Sequence, residues 1–212
     1  MFEQTLPGNT KSALAVLGES KLLKNAYLAG GTALALRINH RISYDLDFFT
    51  SENFDVNLYI QKLGDLGLKI DRQSEGTILG NIKNTRFSLF YYKYPLIDQV
   101  NAYQNIDIAG FKDLSAMKIN AISSRGTKRD FVDLYYLAKQ FSLEEMLSFY
   151  DQKFGALATN QIHLLKSLCY FGDAENDPDP NMIKDEFDWV KIKEFFTKET
   201  KSLIVNIKVS QA

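Results

Sequence analysis

Apolar residues follow two different spacings along the chain, and the change comes near residue 110. Up to that point, short apolar runs and alternating stretches predict strands, with amphipathic helices between them. Beyond it, apolar residues recur every three or four positions, which is typical of helices. The pattern predicts an α+β protein: a small mixed sheet with flanking helices in residues 1–110, and a helical half in residues 111–212 that packs on it and contributes to an active cleft.

The first half shows the elements of this sheet most clearly. A helix that stops near Gly18 is predicted in the stretch NTKSALAVLGES, with Asn9 and Thr10 as candidate N-caps, and another from Thr32, also in a capping position. About five strands are predicted, from the stretches NAYLAGG, YDLDFF, LKIDRQ, TILGNIK and TRFSLFYYKYPLI. Pro95 closes the last strand, which places that strand near an edge of the sheet. In the second half, the acidic stretch GDAENDPDPNM interrupts the helices and predicts a surface loop.

Composition and charge change this picture little. The chain has 212 residues, 45% of them hydrophobic, and a formal net charge of −1, as in an ordinary globular protein with no global attraction for nucleic acid. The single Cys169 cannot form an intrachain disulfide. The N-terminus lacks the blocks of a signal peptide, and no apolar run approaches the length of a membrane span. We therefore expect a cytoplasmic protein with no membrane partner.

The stretch YLAGGTALALRINHRISYDLDFF concentrates candidate binding chemistry. Gly30 and Gly31 allow a ligand to approach the backbone closely, and a helix beginning at Thr32 offers free N–H groups and the positive end of its dipole. A triphosphate suits such a turn. Arg41, just before the next strand, can add a positive charge to the phosphates. These four residues are our candidates for nucleotide binding.

Asp45 and Asp47 follow within the same stretch. On a strand, residues two apart share one face, so the two carboxylates are expected to lie side by side. Such a pair suits Mg²⁺, or Mn²⁺, shared with substrate phosphates. Taken singly, a Gly-Gly pair is often only a tight connection, and an Asp-x-Asp pair is often a solvated strand face. The order strand, GGT, helix, DxD strand favours a metal and nucleotide site.

A second candidate cluster lies in AMKINAISSRGTKRDFVDLYYLAK. Lys118 stands among apolar residues of one predicted helix, and Asp130 and Asp133 share a face of the next. Lys118 can bind nucleotide phosphates, Arg125 and Lys128 can hold phosphates of the nucleotide or of an acceptor, and Asp130 can orient or deprotonate an attacking hydroxyl. The alternative is that Lys118 extends to solvent and that Asp130 only caps its helix, paired with Arg129 or Arg125.

The segment GGTALALRINHRISYDLDFF resembles the first motif of the DNA polymerase beta-like nucleotidyltransferases. In the details GGTAL and HRxSxDLDFF it is similar to the AbiEii/AbiGii branch, toxins of type IV toxin–antitoxin and abortive-infection systems. The resemblance implies a metal-dependent transfer of a nucleotidyl group from an NTP to an acceptor, possibly RNA or tRNA ends, by a toxin with a separate antitoxin. It also implies catalytic roles for Lys118 and Asp130, which match later family motifs.

Two departures from the family pattern leave an alternative open. Thr127 stands where the family's later motif has an arginine, so Lys128 is displaced. The predicted strand RFSLFYYKY has no carboxylate, and Ser88 is expected to face the site where many relatives of the superfamily carry a third one. Either Asp130 takes the task of general base, or the protein is a catalytically weak nucleotide-binding, regulatory or interaction module.

Overall fold

The computed structural model describes residues 1–155 and 157–210, in two compact units that meet in sequence between Gly110 and Phe111. The first unit has a 3-10 helix at Glu3–Thr5. Its other elements are α1 (Gly8–Ser20), β1 (Tyr27–Leu28), α2 (Gly30–Ile38), β2 (Leu46–Thr50), α3 (Val56–Asp65), β3 (Lys69–Ser74), β4 (Thr77–Ile82), β5 (Thr85–Tyr91), β6 (Asn101–Tyr103) and β7 (Ile106–Ile108). The combination of a mixed sheet with flanking helices confirms the predicted fold class.

The sheet of the first unit has seven strands in the order β3-β4-β5-β2-β1-β7-β6. Strands β2 and β5 run parallel, as do β1 and β7, and the other neighbours are antiparallel. The expected five strands therefore omitted β6 and β7, which have three residues each. Such strands are too short to show an alternating pattern.

The expected edge position of the last predicted strand was wrong. Strand β5 ends at Tyr91, before Pro95, and lies inside the sheet between β4 and β2. Its pairing with β2 joins segments about 40 residues apart in the sequence, as with Phe87 opposite Leu46. Local sequence carries no signal for such a pairing. Pro95 suggested an edge because proline cannot donate a backbone hydrogen bond to a neighbouring strand.

One face of the central strands of this sheet is buried. Side chains of the central strands alternate between buried and partly exposed, as along β2, where Leu46 and Phe48 have no exposed surface. Phe87 and Leu89 of β5 continue the same buried face. Helices α1 and α2 contact β5 and β2 respectively. The alternate residues of the strands, Asp47 among them, form the other face and keep partial exposure.

Helix α1 begins one residue earlier than expected, and its predicted caps were wrong. It starts at Gly8, after Pro7. The Asn9 side chain instead donates to the carbonyl oxygen of Asn84 at 2.8 Å. The hydroxyl of Thr10 donates to the carbonyl oxygen of Tyr44 at 3.3 Å. Both side chains thus tie α1 to later segments rather than to its own first turn.

The second unit is helical, as predicted. Its helices are α4 (Phe111–Ser124), α5 (Lys128–Leu137), α6 (Leu143–Phe154), α7 (Leu157–Ser167), α8 (Gly172–Glu175) and α9 (Trp189–Ser210). The short α8 lies in the acidic stretch that we expected to be a loop throughout; four residues are too few to show helical periodicity. A fully buried ion pair joins α4 and α6, with Lys153 Nζ 2.6 Å from Asp113 Oδ1. Within residues 1–155 and 157–210, no helix is long and apolar enough to span a membrane.

Candidate nucleotide-binding site

The first turn of α2 supplies unpaired backbone donors. The helix begins at Gly30 rather than Thr32, with Ala29 as N-cap, and Ala29 has no side-chain acceptor for the amides of the turn. Ala33 is the first residue whose N–H reaches back to Ala29, with N···O at 3.4 Å. Within the described part of the chain, the amides of Gly30, Gly31 and Thr32 have no acceptor. They are therefore available to an anion.

The carboxylate of Asp47 lies directly against this turn. Gly30 has φ +66°, and Asp47 Oδ2 is 3.0 Å from the position that a Cβ on Gly30 would occupy. The Ala29 amide donates to the carbonyl oxygen of Asp47 at 2.9 Å, which fixes the turn against β2. Glycine is thus required here for two reasons, a left-handed backbone and room for a carboxylate. The structure brings together the predicted phosphate-binding turn and one of the predicted metal ligands.

Arg41 reaches the same turn. Its Nη2 atom lies 2.2 Å from the position that a Cβ on Gly31 would occupy, so only glycine leaves room for the guanidinium in this arrangement. The side chain is almost entirely buried, at 3% exposure, and Nη1 donates to the carbonyl oxygen of Ile42 at 3.1 Å. The expected proximity of a positive charge to the turn is present, but this arginine is built into the fold rather than extended into solvent.

The Thr32 side chain does not cap α2. Its hydroxyl donates to the carbonyl oxygen of Asp45 and also hydrogen bonds with Ser43 Oγ at 2.9 Å. At 1% exposure, it connects the helix to the segment that leads into β2. Because the hydroxyl is engaged in these bonds, only the backbone N–H of Thr32 is left for the phosphate binding that we expected of this residue. The cap prediction was wrong because the helix begins two residues earlier.

Asp45 immediately precedes β2, which begins at Leu46. Contrary to our expectation, Asp45 is therefore not a strand residue. It is half-buried, and within the described residues its carboxylate has no hydrogen bond or ion pair. In the same residues, no group of three or more His, Cys, Asp or Glu side chains is placed to bind a metal. Asp45 and Asp47 fit Mg²⁺, because this ion commonly takes one or two carboxylates and completes its shell with water and phosphate oxygens.

The strand beside Asp47 carries a serine, as expected. In the parallel pairing of β2 and β5, Asp47 stands opposite Ser88. Registered neighbours share a face of the sheet, so Ser88 occupies the place next to Asp47 where a third carboxylate would be sought. The first unit thus offers two carboxylates and a hydroxyl in this region.

In the second unit, Lys118 and Asp130 form a buried cluster with Asp133. Lys118 Nζ is 2.8 Å from Asp130 Oδ1 and 2.7 Å from Asp133 Oδ2, and all three side chains are at most 7% exposed. Arg125 Nε lies 3.1 Å from Asp130 Oδ2, and the Thr127 hydroxyl donates to the same oxygen at 2.6 Å. Lys118 does not extend to solvent, which corrects that part of the alternative interpretation.

These donors determine the protonation of Asp130. Burial alone would raise the pKa of its carboxyl, but the positive charge of Lys118 and the hydrogen bond and charge of Arg125 together lower this pKa well below its usual range. A carboxylate that holds its charge this strongly is a poor proton acceptor at neutral pH. It is better suited to positioning its cationic neighbours.

The acidic stretch before α9 binds Lys128, which we had considered for phosphate binding. Lys128 Nζ donates to the carbonyl oxygen of Asp177 at 2.6 Å and to Asp179 Oδ1 at 2.9 Å. The Asp177 carboxylate also accepts from the Lys128 amide at 2.9 Å, at the start of α5. Lys128 is therefore committed to the fold. The sequence contained no signal for this contact, because its partners lie about 50 residues apart.

Comparisons with known proteins bear on the family and the fold of this chain. The family described as "Nucleotidyl transferase AbiEii toxin, Type IV TA system" matches residues 12–108, which contain the whole region around α2 and β2. An uncharacterized protein of Aquifex aeolicus is 34% identical over 205 residues, covering 92% of this chain and 96% of its own. The similarity to this relative therefore extends through both compact units.

Solved structures confirm the fold. A putative nucleotidyltransferase from Helicobacter pylori superimposes with a TM-score of 0.56 at 18% identity, covering 98% of each chain. MenT4, a nucleotidyltransferase toxin from Mycobacterium tuberculosis, superimposes with a TM-score of 0.54 at 13% identity, covering 92% of this chain and 84% of its own. These superpositions show the fold alone, whereas the family match over residues 12–108 shows that the chain belongs to the AbiEii family of nucleotidyl transferase toxins.

Proposed function

We propose that this protein is a Mg²⁺-dependent nucleotidyltransferase that moves a nucleotidyl group from an NTP to an acceptor and releases pyrophosphate. The observation that carries the proposal is the position of Asp47 Oδ2, 3.0 Å from where a Cβ of Gly30 would be. A helix turn with free amides binds phosphate, and a carboxylate oxygen binds a hard cation. The two requirements for holding a metal-bound triphosphate therefore meet at one turn.

Asp45 and Asp47 would hold the metal, either Mg²⁺ or Mn²⁺. When bound, such an ion activates the attacking oxygen of the acceptor and stabilises the leaving pyrophosphate. Among the residues that the structure describes, the Asp45 carboxylate has no hydrogen bond or ion pair, so it is available to a cation, which supports this assignment.

The chain's own groups bind and orient the triphosphate. The amides of Gly30, Gly31 and Thr32 point to the open end of α2 and donate to phosphate oxygens. The Arg41 guanidinium, held against Gly31, places a fixed positive charge beside them. Because Arg41 is buried and already oriented, little side-chain entropy is lost when nucleotide binds.

The cluster around Lys118 carries the remaining catalytic roles in this proposal. Arg125 has a side chain that is 66% exposed, so its guanidinium is accessible to an anion from solvent. Lys118 is held by two carboxylates, and a phosphate would have to compete with Asp130 and Asp133 for it. The lowered pKa of Asp130 favours the orientation of an acceptor hydroxyl over its deprotonation.

Membership of the AbiEii family supports two partners. We propose a separate antitoxin protein that opposes the activity, since the family description names a type IV toxin–antitoxin system. We also propose RNA, possibly a tRNA end, as the acceptor. A structural neighbour described as a nucleotidyltransferase toxin is consistent with the same class of reaction.

Ser88 supports a second candidate function. It stands beside Asp47 in the sheet, where a third carboxylate would complete a three-acid site. A protein with two carboxylates can bind metal and nucleotide and still transfer slowly. The second candidate is therefore a catalytically weak nucleotide-binding, regulatory or interaction module.

A transfer assay separates the two. The protein is incubated with each of the four NTPs labelled on the α-phosphate, Mg²⁺ and total RNA, and the label on RNA is followed. We expect transfer by the wild type and a loss of about 100-fold or more in Asp47→Asn. Asp71→Asn, an exposed carboxylate on β3, is the matched control and should transfer normally. NTP binding without any labelled product would favour the second candidate, and equal transfer by Asp47→Asn would exclude Asp47 as a metal ligand.

A further inference from the structure

The face of the sheet that carries Asp47 continues well beyond the nucleotide site. Registered neighbours across β2, β5, β4 and β3 place Asp47, Ser88, Leu79 and Arg72 in one row. A second row on the same face contains Arg86, Asn81 and Lys69. Because neighbouring strands lie about 4.8 Å apart, Arg72 stands roughly 14 Å from Asp47.

The cations of this face are exposed and unpaired. Lys69, Arg72 and Arg86 are all exposed, and in the described part of the chain none of them makes an ion pair. In the second unit, by contrast, many lysines are bound to carboxylates: Lys118, Lys128, Lys139, Lys153 and Lys193. The net charge of −1 therefore conceals a local set of available cations on the sheet. Arg72, three strands away from Asp47, stands beyond the reach of a triphosphate bound at α2, and this separation suits a longer polyanion.

Aromatic rings accompany these cations. Phe49 and Phe90 are registered neighbours on the same face as Asp47, with ring centroids 5.4 Å apart. Tyr92 lies 5.3 Å from Phe49, and Tyr94 lies 5.2 Å from Tyr92. All four rings are half-buried, so each packs on its neighbours and keeps exposed surface. Partly exposed rings on the same sheet face as cations suit nucleobases joined by phosphates, because bases stack on aromatic side chains.

We propose that this surface, the acceptor face, binds a single-stranded nucleic acid whose end is the acceptor of the transfer. The acceptor face is defined by Lys69, Arg72, Arg86, Phe49, Phe90, Tyr92 and Tyr94. The cations hold phosphates and the rings stack on bases, which a duplex does not expose for stacking. The assignment of an acceptor rests on the proposed nucleotidyl transfer, but the binding itself does not.

Binding is measured without NTP, using a fluorescent single-stranded RNA of about 12 nucleotides. The test variant carries Arg72→Gln and Arg86→Gln, and the matched control carries Lys24→Gln and Lys62→Gln, two exposed lysines of the same unit off this face. We expect the test variant to bind about tenfold more weakly than the control. The slope of log affinity against log salt concentration should also be shallower by about 1.4 for the test variant. Each phosphate that is no longer neutralised contributes about 0.7 to this slope.

Stacking is tested with Phe90→Leu, which keeps an apolar side chain. This variant should bind the RNA about fivefold more weakly than the wild type does. It should bind an abasic strand of equal length with the same affinity as the wild type. Equal RNA binding by the arginine variant and its control, or no RNA binding by the wild type, would overturn the proposal. Weakened NTP binding with unchanged RNA binding would assign the face to the nucleotide donor instead. Asp47→Asn should keep its RNA binding, so a failure of transfer and a failure of this proposal are separate results.

Discussion

Gly30 shows most clearly how one residue serves both conformation and chemistry. The GGT turn and the DxD pair were recognisable in the sequence because their residue types and order are distinctive. The sequence could not show that the Asp47 carboxylate packs on Gly30, or that the Arg41 guanidinium packs on Gly31. Those contacts depend on how the segment between α2 and β2 returns along the helix, which no local pattern specifies.

Replacing Gly30 with alanine tests this arrangement. A non-glycine residue at φ +66° is strained, and its Cβ would press on Asp47 Oδ2. We expect Gly30→Ala to lower the free energy of unfolding by about 1 kcal/mol or more, and to reduce transfer by more than the loss of folded protein explains. Urea unfolding and the transfer assay measure the two effects.

The control for this variant is Gly64→Ala in α3, where an added Cβ meets no atom within 4 Å. It should leave transfer unchanged and stabilise the protein by roughly 0.5–1 kcal/mol, because alanine favours a helix over glycine. A Gly30→Ala protein that transfers at the wild-type rate would show that the Asp47 position is not required.

Among the elements, the longer helices and strands were predictable and the short or long-range ones were not. Helices α4 and α5 and strands β3 and β4 appeared in their expected places because each carries enough residues for a periodic pattern. Strands β6 and β7 and helix α8 are too short for one. The contact between α4 and α5 was only half predictable: the shared face of Asp130 and Asp133 follows from their spacing, but their common partner Lys118 does not.

That contact predicts a pH dependence of stability. The folded-state pKa of Asp130 lies below its unfolded value, so its contribution is complete above about pH 4 and is lost as the pH falls further toward the folded value. We expect Asp130→Asn to lower the free energy of unfolding by about 3 kcal/mol at pH 7, since it leaves the buried Lys118 with one carboxylate fewer. The difference from wild type should shrink between pH 4 and pH 3 in urea unfolding.

Asp185→Asn serves as the control for this measurement. Asp185 pairs with Lys139 at 3.1 Å, and both side chains are about half exposed. Its removal should cost about 1 kcal/mol or less, because solvent screens an exposed pair. A difference between Asp130→Asn and wild type that stays constant with pH would contradict the assigned charge state of Asp130.

For the whole molecule, charge distribution carries more information than net charge. A value of −1 gave no reason to expect nucleic-acid contact. The structure shows cations bound to carboxylates in the second unit, and exposed cations on the sheet that have no such partner among residues 1–155 and 157–210. Ion pairs of this kind join residues far apart in the sequence, such as Asp113 and Lys153, so the composition does not reveal them. Family membership, by contrast, was predictable from one short motif.

Mg²⁺-dependent nucleotide binding tests the central claim most directly. The affinity of the wild-type protein for each labelled NTP is measured in Mg²⁺ and in EDTA, beside that of the double variant Asp45→Asn, Asp47→Asn. We predict that Mg²⁺ tightens NTP binding to the wild type by about tenfold or more, and that the double variant loses this gain. Equal affinities in Mg²⁺ and EDTA for the wild type, or an undiminished gain in the double variant, would contradict the assignment of Asp45 and Asp47 as metal ligands.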